Sequence, residues 1–269
     1  MRSVRRRLDA ELVRRGLARS REHAASLVAQ GRVVVAGSVA TKPATQVDDA
    51  AAVLVKPDDD DPGYASRGGV KLAGALAAFT PQGLVVAGRR ALDAGASTGG
   101  FTDVLLRAGA SHVDAVDVGY GQLVWALQTD SRVSVHDRTN VRDLTTGSLA
   151  DPVDLVVADL SFISLTLVLR ALVSVATPEA DFVLMVKPQF EVGRDRLGKG
   201  GVVRDPEHRV EAIRRITDAA AGLGLGVRGV TASPLPGPAG NVEYFVWLQA
   251  EAPPLDPEAA DQAVAEGPQ

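Results

Sequence analysis

With 269 residues, no cysteine and a formal net charge of −4 at pH 7, the chain has room for one large core plus a small module and cannot form disulfides or thiolate metal sites. Its 46% hydrophobic and 23% charged residues are those of a soluble globular protein, and no window reaches the roughly 20 apolar residues of a membrane span. Arginines rather than an apolar secretory run follow Met1, and His23, His112, His136 and His208 are scattered without ligand spacing, so a cytoplasmic protein with no metal and no membrane attachment is expected.

The total hides an asymmetry. Residues 1–56 carry eleven Lys or Arg against five Asp or Glu, a balance of +6 that leaves the rest of the chain at −10. A basic module joined to an acidic one implies that the first holds a polyanion while the second does something else.

In chain order, residues 6–15 place Leu8, Leu12 and Val13 on one helical face with arginines opposite, and Gly16 closes that helix. Ser20 is an N-cap for a second helix carrying Ala24, Ala25, Leu27 and Val28, closed by Gly31. Residues 33–36 and 53–55 read as strands, with a turn at Gly37-Ser38 and a loop at Lys42-Pro43. Residues 57–65, with four consecutive acids between Pro57 and Pro62, form a solvated linker. Residues 66–79 show a helical pattern, Val70, Leu72, Ala73 and Leu76, with Lys71 in its first turns.

The run Leu92-Asp93-Ala94-Gly95-Ala96-Ser97-Thr98-Gly99-Gly100-Phe101 then reads as a strand end, a glycine turn and a helix start. Its leading acid suits a pyrophosphate poorly. Asp93 can accept from cationic or amide groups, which suits the methionine end of S-adenosylmethionine, while small residues let the backbone approach a ligand. Taken alone, the turn is equally that of an ordinary βα unit. Asp117 ends the next strand, residues 113–118, and comes 24 residues after Asp93, close to the separation of about 20 expected of an acid that bonds ribose hydroxyls.

Residues 122–127 read as helical and 133–136 as a strand, with Asn140 just beyond it in the crevice-facing region. Residues 153–158 read as a strand whose last four residues, Leu155–Ala158, are an unbroken apolar run, as for a central parallel strand, ending in Asp159. A helix over 165–175 and a strand over 182–186 follow, the strand ending at Lys187. Beyond the loop 193–203 come a helix over 206–223, a strand over 226–232 and a final strand over 241–249 with Glu243 near its start. The Pro- and acid-rich tail, residues 251–269, has little to bury and reads as partly disordered. Asp159 and Lys187, at the carboxyl ends of buried parallel strands, project into the same crevice as the glycine turn, where each needs a partner or a ligand.

Two resemblances add to these readings. Residues 1–56 resemble the S4 RNA-binding domain in Arg7-Leu8-Asp9, Gly16-Leu17-Ala18-Arg19-Ser20-Arg21, Ala24, Leu27-Val28, Gly31-Arg32-Val33, Val35, Gly37 and Lys42-Pro43. Lys71, Asp159, Lys187 and Glu243 resemble the Lys-Asp-Lys-Glu tetrad of the FtsJ-like ribose 2′-O-methyltransferases. With LDAGASTGGFT, DVGYGQL, VADLSFISL, VKPQFE and GNVEYF, the chain is similar from residue 2 to about 249 to the TlyA family of ribosomal RNA methyltransferases, some of whose members are labelled haemolysins.

The resemblance implies an α/β fold: a Rossmann-like class I methyltransferase sheet over residues 66–250, preceded by a small α+β S4 domain. It implies S-adenosylmethionine as cofactor, held by Asp93, Gly95, Ala96, Ser97, Gly99, Gly100, Phe101, Asp117, Asn140 and Asp159, and catalysis by Lys71, Asp159, Lys187 and Glu243. It further implies methylation of cytidine 2′-hydroxyls in ribosomal RNA, with ribosomal RNA or ribosomal subunits as partners. The basic N-terminal extension resembles that of longer members, which modify both 16S and 23S RNA, and a monomer is expected. Arg5, Arg6, Arg7, Arg14, Arg15, Arg19 and Arg21 are the expected RNA contacts, giving affinity more than sequence choice. Phe162 and Phe190 flank the site, as stacking partners for a flipped base or as core. A non-catalytic ribosome assembly factor and a membrane-lysing protein are the competing readings.

Overall fold

A computed structural model describes residues 5–18, 20–56 and 62–268. Arg19 and the acidic run of the linker lie outside the described residues. The chain divides into two compact units, residues 1–63 and 64–269.

The small unit contains β1 (Arg5–Arg7), α1 (Leu8–Arg14), α2 (Arg21–Ala29), β2 (Val33–Val35), β3 (Ser38–Val39), β4 (Gln46–Asp48) and β5 (Val53–Val55). Leu8, Leu12, Ala24, Leu27, Val28, Val33 and Val47 form its core. Ser20 caps α2 as expected, accepting the His23 N–H at 3.1 Å. The helix expected from residue 6 begins instead at Leu8, because Arg5–Arg7 pair antiparallel with Gln46–Asp48 and the Leu8 N–H reaches the Thr45 carbonyl at 2.8 Å. A three-residue ladder outweighs helical propensity at that end.

The large unit runs α3 (Gly68–Phe79), β6 (Arg90–Ala94), α4 (Gly100–Arg107), β7 (His112–Val116), α5 (Trp125–Gln128), β8 (Val133–His136), β9 (Val153–Ala158), α6 (Leu169–Ser174), β10 (Ala176–Val186), α7 (Pro188–Glu191), α8 (Pro206–Ala221), β11 (Leu225–Ala232), β12 (Tyr244–Ala250) and α9 (Pro257–Glu266). One seven-stranded sheet has the order β11-β12-β10-β9-β6-β7-β8. The strands from β10 to β8 are mutually parallel, and β12 is antiparallel to both neighbours. Strand order reverses between β6 and β9, so the crevice above their carboxyl ends is where such a sheet takes a ligand.

Alternation along the strands feeds two cores. Leu92, Val156, Phe182 and Leu184 pack with Leu172, Ile213 and Ile216; Ala91, Leu155, Val157 and Val183 pack with Leu72, Leu76, Leu105 and Phe101. The helix expected over 165–175 divides into a 3-10 turn, Leu165–Leu167, and α6. The tail is not structureless. Asp256 caps α9 by accepting the Glu258 N–H at 3.0 Å, and Ala260, Ala263 and Val264 are buried in the first core.

Candidate active site

Asp93, the next-to-last residue of β6, faces α4 and is fully buried. Its Oδ2 accepts the Thr102 hydroxyl at 2.6 Å, and its Oδ1 has no hydrogen-bond partner among the described residues. Burial pushes this carboxyl up to about 7, against the Thr102 bond and with the charges of Asp159 and Asp117 adding.

The turn after Asp93 places Gly95, Ser97 and Gly99 at positive φ, 89°, 47° and 98°. Gly95 is required twice over: besides its φ, a Cβ there would stand 2.6 Å from the Asp159 carbonyl oxygen, so this close approach of the loops after β6 and β9 needs a glycine. A Cβ on Gly100, at the start of α4, would meet the Gly69 nitrogen at 2.8 Å. Ala96 and Phe101 are buried packing residues, and Phe101 lies 6.1 Å from Phe245, ring centroid to centroid.

Asp117 braces the turn from the next strand, accepting the Ser97 N–H at 2.8 Å and the Gly119 N–H at 2.7 Å. The exit of β8 is tied to that of β7 through the Thr139 N–H on the Asp117 carbonyl, 2.9 Å. Asn140 is exposed, and its side-chain oxygen caps a 3-10 turn by accepting the Arg142 N–H at 3.1 Å.

The four charged residues form two pairs. Lys187, immediately after β10, places Nζ 2.5 Å from Asp159 Oδ1 and donates to Ser161 Oγ at 2.9 Å. Lys71 on α3 pairs with Glu243, just before β12, and both are buried. The two pairs adjoin: Val186 of β10 is paired with Tyr244 of β12, so Lys187 and Glu243 leave neighbouring strand ends, and a Cβ built on Gly68, one helical turn before Lys71, would stand 3.9 Å from Asp159 Oδ2. Ser161 and Thr102 escape the sequence reading. DLSFIS contains Ser161, but nothing in its spacing shows that it faces Lys187.

Phe162 is 92% exposed at φ 65°, a strained conformation for an aromatic residue. Its ring lies 5.3 Å from that of Phe190 at 49°.

In the small unit the arginines divide into two sets. Arg7 and Arg21 bond Asp9 at 2.8 and 3.2 Å. Arg14 and Arg15 bond the buried Glu11, whose carboxyl is held at about 2, chiefly by Arg14, with burial opposing and Arg15 adding. Arg15 also donates to the Ala51 and Asp49 carbonyls at 2.7 and 2.9 Å, which makes it a structural clasp. Arg5, Arg7, Arg14 and Arg21 are exposed and Arg6 is half-buried. Among the described residues no group of three or more His, Cys, Asp or Glu could hold a metal, and no helix is long and apolar enough to cross a membrane.

The comparisons agree with this anatomy. The model of the FtsJ-like methyltransferase family matches residues 64–250, and that of the S4 domain matches 6–53. The 16S/23S rRNA (cytidine-2′-O)-methyltransferase TlyA of Mycobacterium tuberculosis is 55% identical over 97% of this chain and 98% of its own. Hemolysin A of Brachyspira hyodysenteriae is 35% identical over 89% and 98%. A solved structure from Streptococcus thermophilus, with a provisional hemolysin designation, has a TM-score of 0.78 at 37% identity, covering 97% of this chain and 95% of that one. The chain belongs to the TlyA family of FtsJ-like methyltransferases, in which an S4 domain precedes the methyltransferase sheet.

Proposed function

We propose that the chain transfers the methyl group of S-adenosylmethionine to the ribose 2′-hydroxyl of cytidine in the ribosomal RNA of both subunits. The observation that carries this is the gathering of two lysine–carboxylate pairs at one corner of the sheet rim, against the glycine turn that follows β6. The activity and substrate named for the M. tuberculosis relative support the choice of RNA ribose.

The residues fit the cofactor. Asp93 Oδ1 is a buried acceptor with no donor among the described residues, the kind of atom that a ligand ammonium or amide completes. Gly95, Gly99 and Gly100 let the turn close against the Asp159 carbonyl, Leu127 and the Gly69 nitrogen, which fixes the backbone rim a ligand would meet together with Ser97, and Asp117 and Asn140 stand on the adjoining loops where the nucleoside end would lie. When bound, S-adenosylmethionine supplies an activated methyl group on a sulfonium sulfur.

The chain's own work is to place and deprotonate the attacking oxygen. Lys187 is held by two acceptors, Asp159 and Ser161; when neutral it accepts the hydroxyl proton, and when charged it balances the developing oxyanion. Asp159 orients Lys187, while Lys71 and Glu243 complete the charge pattern and position the ribose. Alignment supplies much of the acceleration. Phe162 and Phe190 offer a stacking surface for an unpaired base beside this corner, and the exposed arginines of the S4 unit grip phosphates.

Nucleoside mass spectrometry of ribosomal RNA from cells lacking the gene tests this reading. Loss of 2′-O-methylcytidine is expected, restored by the wild-type gene and not by Lys187→Ala. Persistence of every ribose methylation in the deletion strain would contradict it.

A further inference from the structure

Phe162 presents a physical problem that the charged corner does not solve. A phenylalanine at φ 65° and 92% exposed gains little from burial to offset about 1–3 kcal/mol of backbone strain, and such a residue persists only where its surroundings over-determine it. The restraint lies at both ends of its loop. At the front, the Asp159 N–H bonds the Ala94 carbonyl at 3.1 Å and the Asp159 and Ser161 side chains meet Lys187. At the back, two side-chain bonds reach the loop from Glu191, the last residue of α7.

Glu191 is buried. Its Oε1 accepts the Leu165 N–H at 2.9 Å and its Oε2 accepts the Ser164 hydroxyl at 2.5 Å. Ser164 in turn caps the 3-10 turn that begins at Leu165, accepting the Thr166 N–H at 3.2 Å. The Glu191 carbonyl accepts from Arg215 on α8 at 2.8 Å, so the anchor is itself fixed. Burial raises the Glu191 carboxyl, with the Ser164 and Leu165 bonds opposing.

We infer that Glu191 is a positioning residue: its side chain pins the loop after β9 so that Phe162 stands outward beside Lys187 as a rigid shelf for a nucleobase of unpaired RNA. The inference rests on the reading of the corner as an RNA methylation site. It differs from a general packing role because the geometry, and not the charge, is what matters. A glutamine can accept from Leu165 through its amide oxygen and donate to Ser164 through its nitrogen, whereas an alanine leaves the Leu165 N–H without an acceptor.

The test uses the full-length protein labelled with 4-fluorophenylalanine, the Phe162 resonance being assigned with Phe162→Leu. Glu191→Ala and Ser164→Ala should move and sharpen the Phe162 fluorine signal toward that of a free ring. Both should slow single-turnover RNA methylation by about tenfold with S-adenosylmethionine affinity unchanged. Glu191→Gln should stay near wild type in both readouts. Ser164→Ala, which removes one arm only, keeps the test decisive if Glu191→Ala fails to fold. A wild-type Phe162 signal in Ser164→Ala and Glu191→Ala, or a Glu191→Gln protein as impaired as Glu191→Ala, would overturn the inference. If the wild-type protein methylates no RNA, the functional reading falls, while the fluorine signal still decides whether Glu191 holds the loop.

Discussion

Lys71 and Glu243 are so deeply buried that each charge depends on the other. Removing one partner of such a pair costs about 3–5 kcal/mol, whereas replacing both with apolar residues of similar volume is often neutral. Glu243→Ala should therefore lower Tm sharply, and the double variant Lys71→Met, Glu243→Leu should recover most of the loss while remaining inactive. Calorimetry and a methylation assay on the two proteins check this; equal Tm in both variants would remove the pair from the site's energetics. Asp93 makes a separate pH claim. Its folded carboxyl holds a proton up to about 7, against an ordinary value of 3.8, so between those limits the folded chain binds more protons than the unfolded one. Its contribution to stability is present at pH 4 and is lost as pH rises through 7. The Tm advantage of Asp93→Asn over wild type should grow across that window and then level off; a constant difference would mean that Asp93 does not titrate there.

At the scale of elements, legibility followed the strength of local signals. The apolar run of β9 and the Gly95–Gly100 turn were readable because burial on both faces and positive φ each leave a mark in residue type. The pairing of β1 with β4 left none, since Arg5–Arg7 carry no strand pattern and their partner lies some 40 residues away. The helix α9 was misread for a different reason. Asp256-Pro257-Glu258 repeats the Asp205-Pro206-Glu207 start of α8, in which Asp205 accepts the Glu207 N–H at 3.0 Å, but alanines supply most of its buried face and read as weakly apolar. Gly267 closes the element against Ala232, where a Cβ would stand 3.1 Å from the alanine methyl. Val264→Asp should destabilise the protein by about 2 kcal/mol, a drop in Tm of roughly 4–8 °C; an unchanged Tm would mean that α9 adds nothing to the core.

Across the whole molecule the charge asymmetry divides labour, a basic S4 unit joined to a methyltransferase sheet whose rim carries its lysines in pairs. The motifs DAGASTGG, ADLSF and VKPQF show which residues matter. They do not show that Asp159 meets Gly95 through its backbone, or that Ser161 shares Lys187, because those contacts depend on the approach of separate loops. That convergence is the centre of the functional reading, and one measurement addresses it directly. Purified protein is incubated with ribosomal subunits and S-adenosylmethionine, and the RNA is digested and followed by nucleoside mass spectrometry. The wild type should form 2′-O-methylcytidine and Lys187→Ala should be slower by about 10²-fold or more, with Lys187→Arg retaining partial rate only if charge rather than proton uptake is what Lys187 supplies. Methyl groups appearing on bases instead of ribose, or an undiminished rate in Lys187→Ala, would contradict the assignment.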